Sequence, residues 1–206
     1  MKLSVLKEIE KFETRVAIIP SSVKTLTKLG FDVFIEDGAG LLSGFLNKQY
    51  ESSGAKIVNR DECLNGNNIC LVVQLPPIGD LSKLSSNTIL IGALNPYKNR
   101  GIFNQIKDYN ITSICMELIP RISRAQGMDI LSSQANLAGY RAVIDAAKEF
   151  NKIFPMMMTA AGRVNPTKIM VLGAGVAGLQ AIATAKRLGA VVCATDVRLA
   201  AKGQVE

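Results

Sequence analysis

The stretch from Lys168 to Asp196, KIMVLGAGVAGLQAIATAKRLGAVVCATD, constrains this chain more than any other. An apolar run of strand length, Ile169 to Leu172, leads into Gly173-Ala174-Gly175-Val176-Ala177-Gly178, a complete G-x-G-x-x-G. A helical stretch, Leu179 to Leu188, stops at Gly189, and a β-branched run from Val191 to Thr195 ends on Asp196. Strand, glycine turn, helix, strand and terminal acid in that order predict a βαβ unit that binds a dinucleotide.

Each position has a physical task. Gly173 allows the tight turn out of the strand, Gly175 lets a diphosphate approach the backbone, and Gly178 lets the helix pack on the strand. The open N–H groups at Val176, Ala177 and Gly178, together with the positive end of the helix dipole, suit phosphate oxygens. Asp196 follows Gly178 by 18 residues, near the usual spacing of about 20 for an acid that accepts from a ribose hydroxyl. A carboxylate there repels a 2′-phosphate and favours NAD over NADP. Arg198, two residues further on, pulls the other way and is itself a candidate nucleotide contact. A packing-only glycine turn is the alternative. A membrane span is not expected: the uncharged run Ile169 to Ala185 has 17 residues, with three glycines and Gln180, short of the roughly 20 predominantly apolar residues a span needs.

The chain has 206 residues, 48% of them apolar and 20% charged, enough for one large or two small globular domains. MKLSVLKEIEKFE has no apolar run long enough for a signal peptide. Cys63, Cys70, Cys115 and Cys193 lack C-x-x-C spacing, which predicts buried, reduced thiols of a cytoplasmic protein. The absence of histidine removes the usual general base and zinc ligand, so no metal site is expected. The net charge of +7 is spread along the chain and aromatics are 5%, which argues against nucleic acid as a partner.

Upstream, strands are expected at Leu3–Leu6, Phe31–Glu36, Lys56–Val58, Ile69–Gln74, Thr88–Ile91 and Ile111–Met116. Helices are expected at Val23–Leu29, capped by Ser21 or Ser22, around Lys48–Ser53, after Asp61 as a cap, and at Gly101–Tyr109. Such alternation predicts a mostly parallel sheet. Arg121 to Ser132 reads as polar and irregular, Ser133 to Phe150 as a long helix able to bridge two domains, and Phe154 to Pro166 as a link. The fold class is therefore α/β, two Rossmann-like domains with mostly parallel sheets, the second incomplete. The expected division is residues 1–132, a connection over 133–164 and the first βαβ half of a nucleotide-binding domain over 165–206.

A full dinucleotide-binding sheet has two mononucleotide halves and about six strands. Only two strands are expected here after residue 165, so a partner polypeptide would complete the sheet, or the chain is a remnant or a piece.

Several segments resemble the NAD(H)-binding alpha subunit of proton-translocating nicotinamide nucleotide transhydrogenases. They are Glu13 to Ala17, Glu36 to Gly40, Pro120-Arg121-Ile122-Ser123-Arg124-Ala125-Gln126, Met128-Asp129, Leu131-Ser132-Ser133, Asn136 to Val143, Thr159 to Gly162 and Val171 to Gly178. The resemblance implies hydride transfer between NAD(H) held here and NADP(H) held on a partner subunit. Proton passage would run through membrane subunits. It implies that Arg121, Asp129 and Ser132 fix the nicotinamide carboxamide, that Gln126 reaches toward the second nucleotide, and that Asp196 takes the adenosine ribose. Arg121, Gln126 and Asp129 thus stand as the catalytic candidates. The expected partners are the remaining alpha-subunit segment, the membrane and NADP(H)-binding subunits and a second copy. The location would be cytoplasmic, peripheral to the inner membrane. Hydride transfer needs two oriented rings and excluded water, not a protein nucleophile.

Alanine dehydrogenases share the pattern around Arg15 and the glycine turn, but use a histidine and a lysine at the substrate. This chain has no histidine, and Val73 falls at the lysine position, which leaves Arg15 a structural role. Val5-Leu6-Lys7-Glu8, Leu199, Ala200 and Gly203 depart from the transhydrogenase pattern.

Overall fold

A computed structural model describes residues 1–205. The chain divides into two compact units, Met1–Met128 and a second that begins at Asp129.

In the first unit, β1 (Lys2–Val5), β2 (Asp32–Glu36), β3 (Lys56–Val58), β4 (Ile69–Gln74), β5 (Ile89–Ala93) and β6 (Thr112–Cys115) form one sheet in the order β3-β2-β1-β4-β5-β6. Every pairing in it is parallel. Helices α1 (Pro20–Lys28), α2 (Asn47–Glu51), α3 (Arg60–Leu64), α4 (Ile78–Leu81) and α5 (Arg100–Asp108) fill the crossovers. Two apolar clusters sandwich the sheet, as a parallel sheet covered on both faces requires. One gathers Leu3, Val5, Val23, Ile35 and Tyr50; the other gathers Leu6, Leu64, Leu81, Leu90 and Ile106.

Local chemistry adjusts the expected boundaries. Pro20 takes the first helical position of α1, where its fixed φ suits helix entry, so Ser21 and Ser22 lie inside the helix and do not cap it. Asn59 caps α3 by accepting from the Glu62 N–H at 2.9 Å. Asp61 sits in the first turn and pairs with Lys83 at 2.7 Å.

The second unit starts with α6 (Ile130–Glu149), three residues earlier than Ser133. The segment before it is not wholly irregular, because Ser123–Met128 winds into 3₁₀ turns. The expected link over residues 154–166 contains an antiparallel hairpin, β7 (Met157–Thr159) with β8 (Gly162–Val164). Then come β9 (Lys168–Leu172), α7 (Val176–Arg187) and β10 (Val191–Thr195), with β9 and β10 parallel, followed by α8 (Lys202–Val205). Helix α6 packs along α7, and Val143, Phe154 and Ala185 form the core beneath β9 and β10. The opposite face of the two strands is bare, with Met170 67% and Leu172 78% exposed.

All four cysteines are free. Cys63 and Cys70 are buried, and burial pushes both thiols up to about 12. Cys115 is half-buried. Cys193 contradicts the expectation of burial, because it points to the bare face of β10. Among the described residues no helix is long and apolar enough to cross a membrane.

Candidate functional site

The glycine turn sits at the carboxyl end of β9, where α/β sheets bind ligands. Gly173 has φ +99°, a left-handed conformation that favours glycine. A Cβ on Gly178 would collide with the Gly173 carbonyl oxygen, so the start of α7 lies flush on the turn. Around Gly175 the nearest obstacle to a Cβ is Arg198 Nη2 at 3.9 Å, which leaves the backbone approachable. Gly175 is the N-cap and supplies no side chain to the helix. The first N–H groups of α7, from Val176 onward, have no intrahelical acceptor by the geometry of a helix start.

Asp196 follows β10 directly. Its Oδ2 accepts from the Ala174 N–H at 2.7 Å, and its Oδ1 accepts from the Arg198 N–H at 2.8 Å. The Arg198 guanidinium donates to both oxygens at 3.0 Å. These donors hold the carboxyl well below the usual carboxylate range, the Arg198 side chain contributing most. The acid thus stays ionised and clasps the glycine turn to the end of β10. A cleft of about 360 Å³ opens beside it, lined by Ala174, Thr195, Asp196, Arg198 and Ala201. A dinucleotide fits these groups: phosphate oxygens at the open helix start, and a ribose hydroxyl on Asp196 in place of one of the four donors that now occupy its two oxygens.

Asp129 is the N-cap of α6. Its carboxylate accepts from the Ser132 N–H at 3.0 Å and the Ser132 hydroxyl at 2.7 Å. These two expected site residues therefore meet as one capping pair. Arg121 and Gln126 are exposed, Arg121 directly after Pro120 and Gln126 within the 3₁₀ turns of the first unit.

The first unit ends its equivalent strand differently. Glu36 closes β2 as Asp196 follows β10, but its Oε2 accepts from the Lys7 N–H and the Arg60 Nη1, both at 2.8 Å. Arg60 also pairs with Asp80 at 2.7 Å. After β1 comes Leu6-Lys7-Glu8 and no glycine turn. Glu36 is thus tied to α3 through Arg60, and without a glycine turn after β1 the first sheet shares the architecture but not the site. Arg15 is tied to Glu13, with donor–acceptor distances of 2.7 and 2.6 Å.

Residues absent from the sequence-level candidates also shape the turn. Asn136 Nδ2 donates to Gln180 Oε1 at 3.2 Å, and Gly139 of α6 abuts the Ala177 carbonyl. An isolated glycine within a long helical pattern is the available signal for the second.

Known proteins share this fold. Residues 4–138 match the family model for the alanine dehydrogenase/PNT N-terminal domain, and residues 142–206 match the corresponding C-terminal domain. The chain belongs to the alanine dehydrogenase/PNT family. Over its whole length it is 50% identical to the first section of the divided NAD(P) transhydrogenase subunit alpha of Rhodospirillum rubrum, of which it covers 55%. The crystal structure of a transhydrogenase from Sinorhizobium meliloti superimposes with a TM-score of 0.97 at 51% identity, over all of this chain and 61% of that one. An L-alanine dehydrogenase structure follows at 0.88 and 27%, over 57% of its chain. The chain thus spans little more than half the length of these relatives, and the transhydrogenase subunits among them are oxidoreductase components.

Proposed function

We propose that this chain is the NAD(H)-holding part of a proton-translocating NAD(P) transhydrogenase. It would act with the remaining alpha-subunit segment and with membrane and NADP(H)-binding subunits. The observation that carries this reading is the clasp of Asp196 on Ala174. It sets an ionised acid beside an open helix start, in a chain half identical to a transhydrogenase alpha subunit along its full length. The nicotinamide ring supplies the hydride chemistry when bound, and this chain's residues bind and orient it.

In this reading the first turn of α7 binds the diphosphate and Asp196 accepts from the adenosine ribose. Asp129 and Ser132 orient the carboxamide: the acid accepts from its NH₂, while Arg121 donates to its oxygen. Gln126 reaches toward the nucleotide of the partner subunit. The identity to the family's alpha subunits and the capping pair Asp129–Ser132 support these roles. A second copy of the chain and attachment to the inner membrane through partners belong to the same proposal.

The test is hydride transfer from NADH to an NADP analogue in membranes that contain this chain and its partner subunits. Arg121→Ala and Gln126→Leu should each lower transfer at least tenfold while leaving NADH binding within about threefold. Transfer unchanged in both variants would contradict the proposed roles.

A further inference from the structure

Arg198 is the side chain whose placement the ribose-binding role of Asp196 does not explain. A guanidinium carries five N–H donors. Two are spent on Asp196, at 3.0 Å each from Nε and Nη2. Three are left, on a side chain that is 62% exposed. The pairing also fixes its direction. Nη2 lies 3.9 Å from the position a Cβ would take on Gly175, the glycine whose bare backbone admits the nucleotide. The arginine is thus held over the turn and does not extend freely from the chain end of β10.

From this placement we propose that Arg198 is the counter-ion of the nucleotide's 5′-diphosphate, held in position by Asp196. The proposal rests on the reading of the glycine turn as a nucleotide site, and it brings a cation to a turn whose own segment has none. No lysine or arginine occurs between Lys168 and Lys186, so within that segment the helix start alone would carry the phosphate charge. A planar guanidinium suits two neighbouring phosphate oxygens. Asp196 aims the arginine at the turn, and a ribose hydroxyl reaches its carboxylate by replacing one of the donors it now holds.

A 2′-phosphate is the competing ligand for Arg198. It would lie at the ribose, against the Asp196 carboxylate, where like charge opposes it. The diphosphate would lie at the other end, over Gly175, where Nη2 stands 3.9 Å from the Cβ position. The two sources of phosphate are separable by choice of ligand.

The experiment is a set of calorimetric titrations of the full chain and of Arg198→Ala with adenosine, ADP and 2′-AMP, plus Arg198→Lys as a conservative variant. Arg198→Ala should weaken ADP about tenfold, leave adenosine unchanged, and reduce the dependence of ADP affinity on salt. Arg198→Lys should recover part of the loss, since it restores the charge without the fork. Equal weakening of ADP and adenosine would overturn the proposal by making Arg198 structural. A loss confined to 2′-AMP would overturn it in favour of the 2′-phosphate. ADP binding untouched by Arg198→Ala, with adenosine still bound, would refute the proposal while the nucleotide site stands. Adenosine and ADP both failing to bind the wild-type chain would refute the site and the proposal together.

Discussion

Gly139 of α6 lies against the backbone carbonyl of Ala177 in the first turn of α7, so closely that a Cβ at position 139 would overlap that oxygen. The two helices can approach this tightly only at a residue without a side chain. Because Ala177 belongs to the turn that receives phosphate in our reading, packing and binding are coupled here. Gly139→Ala should shift the start of α7 and destabilise the second unit by about 1–3 kcal/mol, the usual range for overpacking. NADH affinity should fall in parallel. Thermal unfolding with an NADH titration of the same sample checks both, and an unchanged Tm would show that the contact relaxes freely.

Gly175 gives the complementary case. A Cβ there meets only Arg198 Nη2, at 3.9 Å, and its φ of −80° suits any residue. Gly175→Ala should leave Tm nearly unchanged yet weaken NADH about tenfold, because the methyl group occupies the approach to the backbone. Unaltered NADH affinity would show that the nucleotide does not approach at Gly175.

The loop after β1 supplies a pH dependence. Glu13 accepts from the Arg15 guanidinium at 2.6 Å, and its Oε2 also accepts from the Gln74 amide at 3.0 Å. The Arg15 hydrogen bond is the largest cause that lowers its carboxyl from 4.5 to about 2. A depressed carboxylate contributes stability that is present above about pH 4.5 and is lost as pH falls toward 2. Glu8, half-buried beside the Val73 and Gln74 N–H groups it binds, is shifted upward by burial. Its ionisation therefore opposes part of that gain as pH rises. Tm of the wild type should drop between pH 4.5 and 2, and Glu13→Gln should flatten that part of the profile. Parallel profiles would contradict the assignment.

Asp129 separates structure from catalysis. As the cap of α6 it accepts from Ser132. Asn is also a good cap, whereas Ala costs about 1 kcal/mol. Asp129→Asn should keep Tm within about 1 °C but lower transhydrogenation with partner subunits, because the proposed role of its carboxylate in orienting the carboxamide is lost. Full activity in this variant would leave Asp129 with only its capping role.

Much of this is legible in the sequence because strand, turn and helix are local. The β-branched run Val191–Thr195 and the spacing of Asp196 place the second βαβ unit, and alternating apolar runs place the six parallel strands. What escapes depends on distant partners. The Glu36–Arg60–Asp80 network joins residues 20 to 24 positions apart, and no spacing rule marks a carboxylate as already engaged. The contact of Gly139 with Ala177 needs the crossing of two helices. Cys193 reads as buried because a strand in a parallel sheet is ordinarily covered on both faces, whereas among the described residues β10 is covered by helices on one face. Ser21 has the chemistry of a cap, yet Pro20 before it already occupies the first helical position.

The central claim is that Asp196 and the glycine turn form an NAD(H) site, and an NADH fluorescence titration of the purified chain tests it most directly. NADPH and Asp196→Ala serve as controls. NADH should bind saturably and in preference to NADPH. Binding should be at least tenfold weaker in the variant, as expected when a charge-assisted hydrogen bond to ribose is lost. Absence of NADH binding by a chain shown to be folded, or binding indifferent to Asp196→Ala, would contradict the claim.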